Sequence, residues 1–254
     1  MTTEIKIISI ANAGVLISDG AHAVLIDALF TERTHGYSAP GAAVLSDMLN
    51  QRPPFDSLSA ILFTHLHPDH ADVDLFGRIA DKSIPLIFPQ TAGAVMDRIT
   101  ARPGIQNPMT LLDGAQTLRL PGVKIEAIPT AHYGGAAHIT QHYSYLLTFG
   151  DTAIFVSGDA EPADEKLLAI LPHRKIDTAV VIYPMLATAA GRTLITKEMK
   201  PAHLVLYHVP FTEDDTGNAH SLIERLIKRY EADLPQVTVL SAPQLVISAG
   251  TETE

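Results

Sequence analysis

Ala60-Ile61-Leu62-Phe63-Thr64-His65-Leu66-His67-Pro68-Asp69-His70 is the stretch whose reading decides this chain. The run Ala60 to Phe63 is short and apolar, the pattern of a buried strand. Pro68 then forbids a regular helix through His67, so a loop follows. Ala71 to Ala80 reads as a helix. The imidazoles of His65, His67 and His70 and the carboxylate of Asp69 thus sit on the turn between a strand end and a helix start. Such a turn lets side chains converge while the strand holds their backbone still. His65 and His67 are two apart, so on an extended segment they point the same way. Asp69 and His70 come after the proline bend and can face back from another side. Histidine and aspartate are ligands for zinc, iron(II) or manganese. A solvated His-rich loop explains one histidine; it does not explain the whole string behind a buried strand.

Working outward, Glu4 to Ile10, Val15 to Ser18 and Ala23 to Ile26 read as strands joined by turns at Asn12-Ala13-Gly14 and Asp19-Gly20. Asp27 closes the third, and a carboxylate there calls for a partner or a site. Phe30 to Pro40 reads as a loop, and Gly41 to Asn50 as a helix with Val44, Leu45, Met48 and Leu49 on its apolar stripe. Beyond the histidine string, Ile84 to Phe88 is a strand and Thr91 to Ala101 a helix. The strand Val123 to Ile128 delivers His132. A hairpin, Gln141 to Phe149 with Thr152 to Ser157, delivers Gly158 and Asp159. Pro162 to Leu171 reads as a helix, Asp177 to Tyr183 as a strand and 184–193 as a loop. Leu194 to Lys200 is a short helix, and His203 to Tyr207 is a strand that delivers His208. Ala219 to Ala232 is the longest amphipathic helix, and Val237 to Leu240 and Leu245 to Ser248 are closing strands. Two mixed sheets stacked face to face with helices outside would bury these strands. Strands packed in one core present their ends at a common rim, which is how ligands far apart in sequence meet.

Composition narrows the function. The 254 residues allow one large domain or two small ones, and no linker or repeat breaks the chain, so a single domain over 1–254 is expected. The formal net charge is -10 without a basic run, which argues against nucleic acid as the main partner. With no cysteine and 12 histidines, any metal must be held by His, Asp and Glu. Neither a signal-peptide pattern nor an apolar stretch of membrane-spanning length is visible, so a cytoplasmic protein acting on a small molecule away from membranes is expected. The oligomeric state stays open.

The string His65-x-His67-x-Asp69-His70, followed in order by His132, Ser157-Gly158-Asp159 and His208, resembles the metallo-β-lactamase-fold hydrolases. Within them, Gly14 to Ile17, Leu25 to Asp27 and Pro201 to His208 look most like the ascorbate-6-phosphate lactonase-like group. The resemblance implies a four-layer αββα sandwich, an α/β fold of two mixed sheets with helices on the outer faces. It implies two divalent metal ions, zinc first, with manganese or iron as alternatives. His65, His67 and His132 would bind one ion, and Asp69, His70 and His208 the other. Asp159 would bridge them, and Asp27 would orient a ligand. The implied activity is hydrolysis of an ester, lactone or phosphoester by a metal-bridging hydroxide formed near neutral pH. Asp69 would be the catalytic residue that holds or shuttles the proton. The chain departs from the lactonase and glyoxalase II pattern around the third histidine, reading Thr130-Ala131-His132-Tyr133-Gly134-Gly135. Asp159 stands where several true β-lactamases carry cysteine. A di-iron oxidoreductase or oxygen-binding protein on the same scaffold, and a non-catalytic metal-binding protein, are the rival readings.

Other residues compete for the site. His138 and His142 lie close to His132, which is preferred because it ends an apolar strand. His35 lies in a loop near Asp27 and could reach the pocket. His22, His173, His203 and His220 read as surface or satisfied structural histidines. Tyr133, Tyr183, Met185 and Phe211 follow strand ends and fit pocket lining or core filling equally.

Overall fold

The computed structural model describes residues 4–33, 37–90, 94–101, 104–135 and 141–249. Strands β1 (Ile5–Ser9), β2 (Val15–Ser18), β3 (Ala23–Ile26), β4 (Leu58–Leu62), β5 (Leu86–Pro89) and β6 (Met109–Leu112) lie in one sheet. Strands β7 (Gln116–Leu120), β8 (Val123–Thr130), β9 (His142–Phe149), β10 (Thr152–Val156), β11 (Thr178–Ile182), β12 (His203–Tyr207) and β13 (Gln236–Val239) build the second. β14 (Val246–Ala249) returns to the first sheet beside β1. Each sheet has seven strands, antiparallel on one side and parallel on the other.

The period of two in a strand divides the first sheet between two cores. Val24 and Ile26 of β3 join the large core shared with the second sheet. Ala23 and Leu25 join a second core with Met48, Leu49, Val73, Phe76 and Ile99 from the helices over the outer face. The far face of the second sheet is covered by Leu167, Leu186, Leu194 and Ile223 from helical segments. Buried on both sides, β3, β11 and β12 are buried at every position, as parallel strands under helices must be. This is the αββα sandwich. Among the described residues no helix is long and apolar enough to cross a membrane.

Three local expectations need correction. The helix expected over Ala71 to Ala80 is a single turn, Val73–Phe76. Asp72 is extended, with φ −107° and ψ 103°, and accepts from Asp74 N as the cap, so regular helix cannot begin earlier. The helix expected from Pro162 starts at Glu165, where Asp164 accepts from Lys166 N and Leu167 N. The loop expected over 184–193 is two short helices, Tyr183–Ala187 and Ala189–Thr193. Pro184 suits the first turn of the former, and Thr188 caps the latter by accepting from Gly191 N.

Candidate metal centre

The centre forms where strand ends from both sheets meet. β4 runs out through Phe63 and Thr64 to His65, β8 to His132, β10 to Asp159 and β12 to His208. The ends are tied together by backbone. Tyr133 N donates to the Asp159 carbonyl at 2.6 Å, and His208 N donates to the Asn12 carbonyl at 2.8 Å. Tyr145 Oη, from the second sheet, donates to the Phe63 carbonyl at 2.7 Å and joins the sheets behind the histidine loop. Gly158 turns with φ +56°, and a Cβ there would lie 2.6 Å from His142 Nε2 and 2.8 Å from Thr64 Cβ. Only glycine admits both that backbone and that approach, so Gly158 aims Asp159 at the rim.

The side chains fall into three groups whose ligand atoms all lie within 4.8 Å of one another: His65, His67 and His132; His65, His70 and Asp159; and Asp69, His70 and His208. Asp159 Oδ2 sits among them, 3.5 Å from His132 Nε2, 3.6 Å from His70 Nε2 and 3.7 Å from His208 Nε2. Asp69 Oδ2 is 3.9 Å from His208 Nε2.

Outer hydrogen bonds set which nitrogen of each ring is free. Asp27, fully buried, accepts from Thr64 N at 2.8 Å and from Thr64 Oγ1 at 2.6 Å. The single hydroxyl proton of Thr64 is thereby spent, so at 3.0 Å His65 Nδ1–H must donate to Thr64 Oγ1. His65 Nε2 then keeps its lone pair. His70 Nδ1 lies 3.1 Å from Asp27 Oδ2, which turns its Nε2 inward too. His132 Nδ1 donates to the Tyr133 carbonyl at 2.7 Å, with the same result.

The Nε2 atoms of His65, His70, His132 and His208, and Asp159 Oδ1, are buried without a hydrogen-bond partner. Buried polar atoms left this way are costly unless something else binds them. The Asp159 Oδ2 spacings exceed a hydrogen bond, which runs about 2.7–3.2 Å. They approach the edge of a ligand tetrahedron, about 3.3 Å for metal–ligand distances of about 2.0–2.1 Å. The residues fit a metal centre.

The side chains themselves polarise the site. Burial and the neighbouring His70 push the His65 imidazole well below its usual range. Burial and His132 push His67 down as well. Both are neutral, the form that binds a metal. Burial opposes charge on His70, but the Asp159 and Asp27 carboxylates outweigh it and hold the imidazole well above its usual pKa. Burial likewise opposes charge on Asp159, and His208 and His70 outweigh it and hold the carboxyl well below its range.

All seven residues singled out in the sequence, His65, His67, Asp69, His70, His132, Asp159 and His208, come together. The helix that follows β10 is capped by Asp164, so Asp159 is not spent on it. His142 is buried behind the centre, its ring 5.2 Å from that of His65, and falls outside the three groups. Its Nδ1 pairs with Thr130 Oγ1 at 2.6 Å, and burial lowers its pKa to about 3. His35 and His138 lie outside the described residues. His22 faces Asp19, His203 Nε2 meets Thr238 Oγ1, and His220 Nε2 meets the Pro210 carbonyl, all away from the centre. Met185 and Phe211 fill the core, whereas Tyr133 and Tyr183 line the cavity over the metal groups. Sequence reasoning missed Thr64 as the link between Asp27 and His65. It also missed Tyr37, whose ring meets that of His208 edge-on at 4.5 Å. Thr64 stood inside the decisive stretch, but nothing in its spacing marked it.

No curated protein matches the sequence. The fold is similar to that of the metallo-beta-lactamase fold protein YhfI from Bacillus subtilis, at a TM-score of 0.67 and 15% identity over 97% of this chain and 100% of that one. It is similar to a possible metal-dependent hydrolase from Veillonella parvula, at a TM-score of 0.68 and 14% identity over 97% of this chain and 99% of that one. It is also similar to CmlA, a diiron beta-hydroxylase from Streptomyces venezuelae, at a TM-score of 0.65 and 15% identity over 97% of this chain and 54% of that one. At such identities the likeness establishes the fold alone. The family model of the beta-lactamase superfamily domain matches residues 22–240, a span that holds every residue of the centre. This chain belongs to the beta-lactamase superfamily domain family.

Proposed function

We propose that this chain is a dinuclear metal-dependent hydrolase, a single domain that cleaves an ester, lactone or phosphoester bond in a small-molecule substrate. The observation that carries this reading is the place of Asp159 Oδ2, between His132 on one side and His70 and His208 on the other, and within 3.7 Å of a nitrogen of each. His65, His67 and His132 would hold one ion, and Asp69, His70 and His208 the other. The two carboxylate oxygens of Asp159 suit it to hold both. Bound there, two divalent ions would acidify water and stabilise negative charge growing on a substrate oxygen. Asp27 and Thr64 keep His65 in the tautomer that offers Nε2, and the Asp27 carboxylate faces His70 Nδ1 at 3.1 Å. Asp69 lines the cavity and has a second oxygen with which to take a proton from water and release it to the leaving group. Zinc is the first candidate because nitrogen and carboxylate ligands at near-tetrahedral spacing suit it; manganese and iron accept the same donors.

Elemental analysis should find about two divalent ions per chain, and the loaded protein should turn over at least one of a generic ester, lactone and phosphodiester. Absence of transition metal after reconstitution rejects the reading. A di-iron oxidoreductase is the second reading, supported by the likeness to CmlA and by a donor set of His and Asp alone. Iron as the retained metal, with a redox-active absorption band and no hydrolysis, would favour it.

A further inference from the structure

The cavity over the centre measures about 550 Å³, in the range of small-molecule sites. Its floor is His67, Asp69, Asp159 and His208, all members of the metal-capable groups. Its walls are Tyr37, Tyr133, Tyr183, Ile182, Pro68 and Pro184. Among the described residues that line it there is no lysine or arginine. Arg33, close in sequence to Tyr37, is taken by Asp214 at 2.5 Å. Arg192 stacks on Tyr230 at 4.3 Å and donates to the Leu186 carbonyl, away from the cavity. Among the described lining residues, the ionisable groups other than the phenols are thus confined to the reacting end. Among the described residues of the lining, a negatively charged arm on the rest of the substrate would meet no lysine or arginine, and a positive arm no carboxylate free of the centre. An unpaired charge in such a setting is unfavourable.

The phenol rings are held by their surroundings. Tyr133 lies in the short helical turn after β8, and Tyr183 opens the helix after β11; both pack on the large core. Tyr37 stands edge-on to His208, with an interplanar angle of 83°. Fixed aromatic walls favour a flat ring that can stack or meet them edge-to-face. We propose that Tyr37, Tyr133 and Tyr183 form the recognition wall of the site, and that the part of the substrate they take is an uncharged aromatic ring. The nature of the cleaved bond rests on the hydrolase reading; the ring site does not.

The test uses the metal-loaded protein and two esters with the same scissile bond, nitrophenyl phenylacetate and its ring-carboxylated analogue. Phenylacetamide, which is not cleaved, is followed by tyrosine fluorescence, readable because the chain has 7 Tyr and no Trp. The uncharged ester should exceed the carboxylated one in kcat/KM by about tenfold or more. Tyr183→Ala should raise the KM for the uncharged ester and the Kd for phenylacetamide by about tenfold with metal content intact, and Tyr183→Phe should restore most of the loss, since the ring does the stacking. Tyr133→Ala provides the same test should Tyr183→Ala not fold. Equal or better use of the carboxylated ester, or phenylacetamide binding indifferent to both alanine variants, would overturn the proposal. If neither ester is cleaved but phenylacetamide binds and is lost in the alanine variants, ester hydrolysis falls and the ring site stands.

Discussion

Asp27→Asn tests the relay that prepares His65 to bind a metal. The native carboxylate accepts from Thr64 N at 2.8 Å and Thr64 Oγ1 at 2.6 Å, and lies 3.1 Å from His70 Nδ1. An amide keeps one acceptor oxygen, which the Thr64 backbone N–H can hold. Its NH2 then faces Thr64 Oγ1 and must donate, so the hydroxyl turns its own proton toward His65 Nδ1. That reverses the tautomer and places the ring proton on Nε2, the atom that faces the centre. His70 meanwhile loses its anionic partner. The fold itself suffers modestly, because a charge-assisted hydrogen bond becomes a neutral one, about 1–2 kcal/mol. Metal affinity should fall about 10–100-fold, the usual cost of disturbing an outer partner of a metal-binding histidine. Competition against a chromophoric chelator measures the affinity, urea denaturation of the chelated protein measures the fold, and nitrogen NMR of His65 reads the tautomer. Thr64→Val removes the hydroxyl without reversing the proton, so it should weaken binding less. A folded Asp27→Asn protein with metal affinity within about twofold of the native one would refute the reasoning.

Three further outcomes are expected. Asp159→Asn keeps the side-chain shape but removes a negative charge from among three imidazoles, so at least one ion and most turnover should be lost; two retained ions with native rates would show that Asp159 does not bridge. Gly158→Ala forces φ +56° on a residue whose Cβ would lie 2.6 Å from His142 Nε2 and 2.8 Å from Thr64 Cβ, so urea denaturation should show a loss of about 2–4 kcal/mol, and an unchanged midpoint would contradict the packing. Burial lowers the His142 pKa to about 3, from the ordinary histidine value of 6.5. The unfolded chain therefore binds the extra proton first, and this group's contribution is complete above pH 6.5, is lost as pH falls and reaches its limit below pH 3. The loss attributable to it in chelated protein should be about 2 kcal/mol by pH 5, and His142→Leu should flatten the slope by about one proton.

Much of the centre was legible because its signals are local. The apolar run Ala60 to Phe63, the proline bend and the two-residue spacing of His65 and His67 depend on neighbours in the chain, as strand period and turn chemistry do. The later residues were legible because His132, Asp159 and His208 each follow an apolar strand, and strand ends share a rim. Residues 184–193 were misread because short helices carry too few turns for a periodic pattern and begin with turn-like Pro184 and Thr188. The tertiary structure alone decided how the histidines are prepared. The parallel register of β3 with β4 sets Ile26 opposite Leu62, which carries Asp27 to Thr64, 37 residues away in the chain. Likewise, only the folded chain brings the Tyr37 ring against His208, and only burial separates Tyr133 and Tyr183 in the cavity from Met185 and Phe211 in the core. By itself the sequence determined which residue types stand at strand ends and how each strand alternates. Which strand lies beside which, and so which proton sits on which nitrogen, follows from sheet register and packing between segments remote in sequence, to which local propensity is blind.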